Sequence, residues 1–255
     1  AFYRGDVAAA IVAHARAHGG AMTEDDLASL RPQWVEPIGR AVAGHVLHEL
    51  PPNGQGLTAL IALGILEHFD VARLSPNSLD AVHLISEACR LAYADRAKFV
   101  GDPDFLSVPV AGLLDLGYLK QRSTLISMDK TMGVPAAGNP AGAEPRGLDD
   151  SLSLPSTSHV SIVDRDGNMV AMTTTIESGF GSLQMVKGFI LNNQLTDFSL
   201  TPTDADGHPV ANRVEAGKRP RSSASTPARL APLSSLSRIW LGAPATRCGN
   251  SFRNV

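Results

Sequence analysis

Ser156-Thr157-Ser158-His159 sets three hydroxyls and an imidazole in a row, where a stretch rich in Gly, Pro, Ala and Ser gives way to a strand pattern. A hydroxyl-rich segment in that position is ordinarily solvated loop. One kind of chemistry would give it more. A threonine hydroxyl is a poor nucleophile at neutral pH and needs an adjacent base; a threonine at a chain's N-terminus carries one in its own α-amine. That amine titrates near ~8, so a useful fraction is unprotonated close to neutrality. It exists only once the preceding peptide bond is cut. A pliable stretch ending at Ser156 suits this need, because the new chain end must leave the pocket.

Other reactive residue types carry less. His14 and His18 lie four apart on a helical pattern and could share a metal. No carboxylate pattern accompanies them, and a solvated helix face is the better reading. His159 reads as a structural strand residue. Cys89 and Cys248, the two cysteines of the chain, form neither a metal-ligand spacing nor a disulfide framework and leave the compartment open. No metal or cofactor is expected.

The elements that must position Thr157 follow from periodicity. Residues 6–18 read as a helix with Asp6 as cap and Gly19-Gly20 as stop. Thr23 opens a short helix, with Asp26 placed for a capping box. Residues 33–50 read as two strands, Ala41–Leu50 the stronger. The turn Pro51-Pro52-Asn53-Gly54-Gln55-Gly56 leads into an apolar helix from Leu57 to about Phe69. Ser78 or Asp80 caps a longer helix to about Val100, with Val82, Ile85, Ala88, Cys89 and Tyr93 at helical spacing. A short helix follows near 115–125. Residues 128–156 lose apolar periodicity and read as a flexible linker. Val160 to Ile176 forms a hairpin pattern around an Asp-Gly turn, and 186–191 a further strand. Residues 199–222 are polar and rich in Pro and Gly.

With 255 residues, 44% of them hydrophobic, the chain can build a sizeable core. Charged residues make up 18% and the net charge is −3, which offers neither a nucleic-acid patch nor an acidic tail. The apolar runs near 57–66 and 107–114 are far too short to cross a bilayer. The opening Ala1-Phe2-Tyr3-Arg4-Gly5-Asp6 lacks Met and lies close to a helix start, which suggests a chain beginning within a longer protein. Helices come first and strands follow, so segments 1–156 and 157–255 are expected to co-fold as one layered α+β unit.

Four ordered blocks then narrow the reading. Thr157-Ser-His-Val-Ser-Ile-Val-Asp-Arg-Asp-Gly-Asn168 resembles the start of the small subunit of γ-glutamyltranspeptidases. The likeness continues through Met172-Thr-Thr-Thr-Ile-Glu-Ser-Gly-Phe-Gly-Ser182, Gly188-Phe-Ile-Leu-Asn-Asn-Gln-Leu-Thr-Asp-Phe-Ser199 and Gly217-Lys-Arg-Pro-Arg-Ser-Ser223. Upstream, Phe2–Gly5, Gly20–Leu27, Tyr93-Ala-Asp-Arg96 and Gly101-Asp-Pro-Asp-Phe105 resemble the second half of that family's large subunit. Helix-surface pairing explains Asp95 and Arg96 equally well.

The resemblance covers about residues 1–223. It implies an N-terminal-nucleophile hydrolase fold, an αββα sandwich, and a precursor that cuts itself between Ser156 and Thr157. It implies cleavage of glutathione or another γ-glutamyl compound through a Thr157 γ-glutamyl ester, which passes to water or to an amino acid or peptide amine. Thr175 would orient Thr157. Gln194 and Asp197 would hold the substrate ammonium, and Ser222 and Ser223 its α-carboxylate. Glu177 stands where many relatives have Asn; an anion there would favour the ammonium, or turn specificity toward glutaryl-type acyl groups of β-lactams. Relatives from bacteria with two membranes are often periplasmic, which leans the localisation toward periplasm or secretion.

Two expected parts have no counterpart in the sequence. The family's carboxylate-clamping arginine belongs to the first half of the large subunit. Its oxyanion glycines follow a Ser-Pro, whereas Gly242-Ala243-Pro244-Ala245-Thr246 stands here. One lost oxyanion donor costs about 3 kcal/mol in the barrier. The run from 225 to about 248 is expected to be unrelated or out-of-frame sequence. A catalytically dead, ligand-binding fragment is the reading from a different class.

Overall fold

The computed structural model describes residues 2–42, 44–149 and 157–222, with 228–230 and 239–241 as backbone strands. Helix α1 (Asp6–Ala17) is capped by Gly5, not by Asp6 as the sequence suggested. Asp6 is its first helical residue, where a carboxylate favours the positive end of the helix. Helix α2 (Glu24–Ala28) opens on the expected capping box: the Thr23 hydroxyl accepts from the Asp26 N–H, and the Asp26 carboxylate accepts from the Thr23 N–H at 2.7 Å.

Three strands, not two, occupy 33–50: β1 (Gln33–Val35), β2 (Ile38–Val42) and β3 (His45–Glu49). Pro37, which has no N–H to give a ladder, separates the first two. Gly44, at φ +77°, turns the chain between β2 and β3.

Helix α3 (Gly56–Leu66) is buried almost all round, so it carries no polar face. It packs against α4 (Leu79–Phe99) and α6 (Leu116–Ser123), with the single turn α5 (Val110–Leu113) beside them. Leu57, Ile61, Ile65, Ala88, Leu91, Leu113 and Leu119 form the core there. Each large aliphatic side chain so buried contributes about 1.5–3 kcal/mol. The α4 cap is Ser78, whose Oγ accepts from the Ala81 N–H at 3.2 Å.

The inward face of α4 differs from the expected one. Val82, Ile85 and Tyr93 are 52%, 45% and 42% exposed, while Ala81, Leu84, Ala88, Leu91 and Ala92 are buried together with Glu87, Asp95 and Arg96. The helical period holds, but its phase is turned, because small and charged residues make up the buried stripe. Asp95 and Arg96 are therefore not a surface pair. Asp95 accepts from the Tyr118 hydroxyl at 2.8 Å and faces Arg122 at 3.2 Å.

Residues 128–149 contain no helix or strand, as their composition suggests, yet they are tied to the helices. The Met132 N–H donates to Glu87 at 2.9 Å, the Gly138 N–H to Asp95 at 2.8 Å, and Arg122 to the Ala136 carbonyl at 2.9 Å.

Beyond them, β4 (Ser158–Val163) and β5 (Met169–Thr174) form the expected antiparallel hairpin. Asp164 closes its turn by accepting from the N–H groups of Asp166 and Asn168, with Gly167 at φ +84°. Residues 186–191, expected as one strand, form parts of two: β6 (Met185–Val186) and β7 (Phe189–Ile190) turn back at Lys187 (φ 52°) and Gly188 (φ 88°). Two successive positive φ values make the tight turn that joins antiparallel strands. β8 (Ala228–Leu230) pairs with β3, and β9 (Ile239–Leu241) with β1. The described strands thus fall into four small sheets in an α+β arrangement.

Both segments share their packing. Ala8, Ile11 and Val12 of α1 cluster with Val186. Asp102 is fully buried and accepts from the Arg219 backbone N–H at 2.8 Å and from its guanidinium at 3.0 and 2.5 Å. Gly101 permits this approach: a Cβ there would lie 2.6 Å from the Ala211 carbonyl oxygen.

Candidate active site

The β4–β5 register pairs Ser158 with Thr174, which brings Thr157 and Thr175 face to face at the open end of the hairpin. The Thr157 hydroxyl donates to Thr175 Oγ1 at 3.3 Å. Thr175 Oγ1 also accepts from the Glu177 N–H at 2.9 Å. Thr175 therefore links the candidate nucleophile to the loop after β5. Both threonines are exposed, as a reacting group must be.

Glu177 is buried and sits at φ 72°, a left-handed conformation that costs a non-glycine residue about 1–2 kcal/mol. Three hydrogen bonds hold its neighbours. The Asn193 N–H donates to the Ile176 carbonyl at 3.2 Å, the Ser178 N–H to Asn193 Oδ1 at 3.0 Å, and Asn193 Nδ2 to the Ser178 hydroxyl at 2.9 Å. Asn193 thereby joins the Glu177 loop to the 3-10 turn Gln194–Asp197 that follows it.

Across that junction the Glu177 carboxyl lies beside that of Asp197 and acts on it. Burial, then the charge and hydrogen bond of Glu177, push Asp197 up to about 7, while Arg96 and Arg221 pull the other way. Gln194 is buried on the same turn, and its Oε1 has no hydrogen-bond partner among the described residues. A buried amide oxygen and a carboxylate pair on adjoining turns form an acceptor set suited to an ammonium group.

Ser222 reaches the same region along another path. Its N–H donates to the Asn53 carbonyl at 3.0 Å, and its carbonyl accepts from Arg96 at 3.3 Å. Ser223 and Ser156 lie outside the described residues, as does Gly242–Thr246. The structure thus brings Thr157, Thr175, Glu177 and Asp197 into one chain of contacts, places Gln194 on the Asp197 turn, and leads Ser222 in beside Arg96.

Four residues of this region carried no role in the sequence reading: Arg96, Asp149, Asn212 and Arg221. All are buried. Arg221 pairs with Asp149 at 2.9 Å and donates to the Arg96 carbonyl at 3.3 Å. Burial, then the nearby Arg221, lower Arg96; burial lowers Arg221, which Asp149 offsets. Arg96 and Arg221 fall within two stretches that resemble the family, 93–96 and 217–223, but neither was given a part in the site.

The histidines and acidic turns point elsewhere. His14 stacks on His18 with ring centroids 4.3 Å apart, and its Nε2 lies 2.6 Å from Gln184 Oε1. His159 contacts Thr173 and Ser161 on the strand surface. Asp204, Asp206 and His208 bring possible ligand atoms within 4.8 Å of one another, in a turn where Asp204 already accepts from the N–H groups of the other two.

Comparison with known proteins places these residues in context. The family model described as gamma-glutamyltranspeptidase matches residues 1–244, past the point near 223 where the sequence blocks end. The chain is 38% identical over 233 residues to the glutathione hydrolase proenzyme of Bacillus subtilis (strain 168), covering 88% of this chain and 39% of that protein. It is 35% identical over 223 residues to the acylase ACY 1 proenzyme of Pseudomonas sp. (strain SE83), covering 86% and 37%. The crystal structure of a cephalosporin acylase from Bacillus halodurans superposes with a TM-score of 0.72 at 35% identity, covering 88% of this chain and 37% of that one. The chain spans about two fifths of the length of the curated relatives it matches.

Proposed function

The chain belongs to the gamma-glutamyltranspeptidase family, and from that premise we propose that it carries the nucleophile and the ammonium site of an autoprocessed γ-glutamyl hydrolase and transferase. Thr157 is the nucleophile. In processing, its hydroxyl oxygen attacks the Ser156 carbonyl, the Ser156–Thr157 C–N bond breaks, and the freed amine takes up the hydroxyl proton. Water then hydrolyses the ester and restores the hydroxyl. Residues up to Ser156 and residues from Thr157 on would then belong to the two paired chains of the mature protein.

In turnover, the Thr157 α-amine takes the hydroxyl proton as the oxygen attacks the substrate γ-carbonyl. The proton passes to the leaving amine as the amide C–N bond breaks, and a γ-glutamyl ester remains. Water releases glutamate; an amino acid or peptide amine releases a transfer product. Glu177, Asp197 and Gln194 hold the substrate ammonium. Ser222 and Ser223 take its α-carboxylate, and Thr175 orients Thr157. An αββα sandwich is the fold we infer for the whole. Ile162, Val163, Val170 and Met172 of the hairpin are half exposed or more, which is apolar surface that a sandwich layer would cover.

The observation that carries this reading is the path Thr157–Thr175–Glu177–Asp197, which links a threonine at a strand's head to two carboxyls, one buried and one half-buried. The acylase names among the relatives raise a second reading, a glutaryl-type acylase. A glutaryl group has no ammonium to neutralise Glu177 and Asp197, so the pair favours γ-glutamyl substrates.

N-terminal sequencing and a γ-glutamyl anilide assay test the proposal. We expect a second N-terminus reading Thr-Ser-His-Val, lost in Thr157→Ala together with turnover. An active protein with an unbroken Ser156–Thr157 bond would overturn the nucleophile assignment. Preference for a glutaryl anilide over the γ-glutamyl one would favour the second reading, and ligand binding without turnover the dead fragment.

A further inference from the structure

Asn212 is fully buried and uses both ends of its amide. Its Nδ2 donates to the backbone carbonyl of Asp197 at 2.7 Å and to Asp149 Oδ2 at 3.2 Å. Its Oδ1 accepts from the backbone N–H of Arg221 at 2.8 Å. Its own carbonyl accepts from the Ser199 N–H at 2.9 Å. One side chain thus grips the turn that ends at Asp197 and the irregular stretch that leads to Ser222.

One of these stretches is a single 3-10 turn and the other is irregular. Neither a helix nor a ladder fixes their separation. The same Asp149 oxygen that meets Asn212 also pairs with the Arg221 guanidinium at 2.9 Å, so the amide and the guanidinium share one buried anchor. Asn suits this node where its relatives in shape would not. Asp has no donor for the Asp197 carbonyl or the Asp149 carboxylate, and Leu would leave both acceptors and the Arg221 N–H unsatisfied.

We propose that Asn212 is the positioning residue that sets the spacing between the ammonium-binding turn Gln194–Asp197 and the carboxylate-binding Ser222, with Asp149 as its anchor. This rests on the γ-glutamyl reading of those two sites. A ligand that carries an ammonium and a carboxylate on one carbon needs both halves at a fixed distance. A ligand that lacks the ammonium does not engage the Asp197 turn and is indifferent to the node.

The test uses Asn212→Asp, which keeps volume and the Oδ1 acceptor but loses the donor, and Asn212→Ala, which loses both, in the full chain. KM and kcat are measured for a γ-glutamyl anilide and for the matching glutaryl anilide. We expect both variants to raise KM for the γ-glutamyl substrate by roughly tenfold, with the glutaryl KM changed by less than about twofold. Equal changes for both substrates mean a merely structural role and overturn the proposal. Backbone hydrogen exchange reads the same node without any turnover. We expect faster exchange in the variants at both Leu195–Ser199 and Arg221–Ser222. Loosening of only one stretch, or of neither, overturns the proposal even if wild-type protein hydrolyses neither anilide, an outcome that by itself refutes only the γ-glutamyl reading.

Discussion

Replacing Glu177 by Gln removes one charge from the pair that we assign to the substrate ammonium, while keeping a group able to hydrogen-bond Asp197. In the wild type, Asp197 lies at about 7 instead of the ordinary 3.8. Below that value Asp197 is mostly protonated; above it Asp197 ionises and adds one negative charge to the site. Ammonium binding therefore tightens as pH rises through about 7. A charge-assisted hydrogen bond contributes about 1.5–3 kcal/mol, so losing one raises KM by about ten- to a hundredfold at alkaline pH. With Glu177 neutral, its repulsion is gone and Asp197 falls, though burial still holds it above the ordinary range, so the step in KM moves to lower pH. The assay is KM for a γ-glutamyl anilide from about pH 5.5 to about pH 8.5, in wild type and Glu177→Gln. A flat wild-type profile, or a variant that keeps the step near neutrality, would refute the reasoning. Stability runs in the opposite sense. A raised carboxyl favours the folded chain below its ordinary 3.8, and that contribution drains away as pH climbs through about 7.

Further outcomes follow from the same geometry. Thr175→Val removes the acceptor for the Thr157 hydroxyl and the Glu177 N–H; processing and turnover should each slow by about tenfold or more, measured by intact mass against time and by kcat. Asp102→Ala leaves Arg219 buried without its main partner, and denaturant unfolding should report a loss of about 3 kcal/mol. Burial alone would raise Asp102, but the hydrogen bonds and charge of Arg219 outweigh it and hold the carboxyl below the ordinary range. That stabilisation is present above the ordinary range and lost as pH falls through the depressed value, so wild type should weaken in acid more steeply than Asp102→Ala. Gly101→Ala would set a Cβ 2.6 Å from the Ala211 carbonyl oxygen, and thermal unfolding should show a cost of about 1–3 kcal/mol.

The sequence carried the local signals well. The Thr23 box, the Ser78 cap and the Asp-Gly hairpin turn each depend on a few adjacent residues, and each forms as expected. Thr157 and Thr175 were legible through the blocks that resemble the family, and the hairpin register then sets them opposite one another. The inward face of α4 was not, since Glu87, Asp95 and Arg96 read as surface until their partners in distant segments are known. Asn212 and Arg221 were hidden for the same reason. Their stretch has no period, and their burial comes from Asp149 and Arg96, many residues upstream.

Arg219 and Arg221 stand either side of one proline and grip Asp102 and Asp149 in the upstream segment. The backbone between Asp149 and Arg221 is thus a loop closed at its base by an ion pair. A break anywhere from 150 to 157 opens that loop without releasing a fragment. The buried ion pairs and shared packing would hold the two pieces together, so the proposed scission would change connectivity inside a body that is already assembled. On the proposed processing, folding would have to come before cutting. A lesion that slows the docking of either arginine would therefore be visible first as uncut chain, before any defect in chemistry.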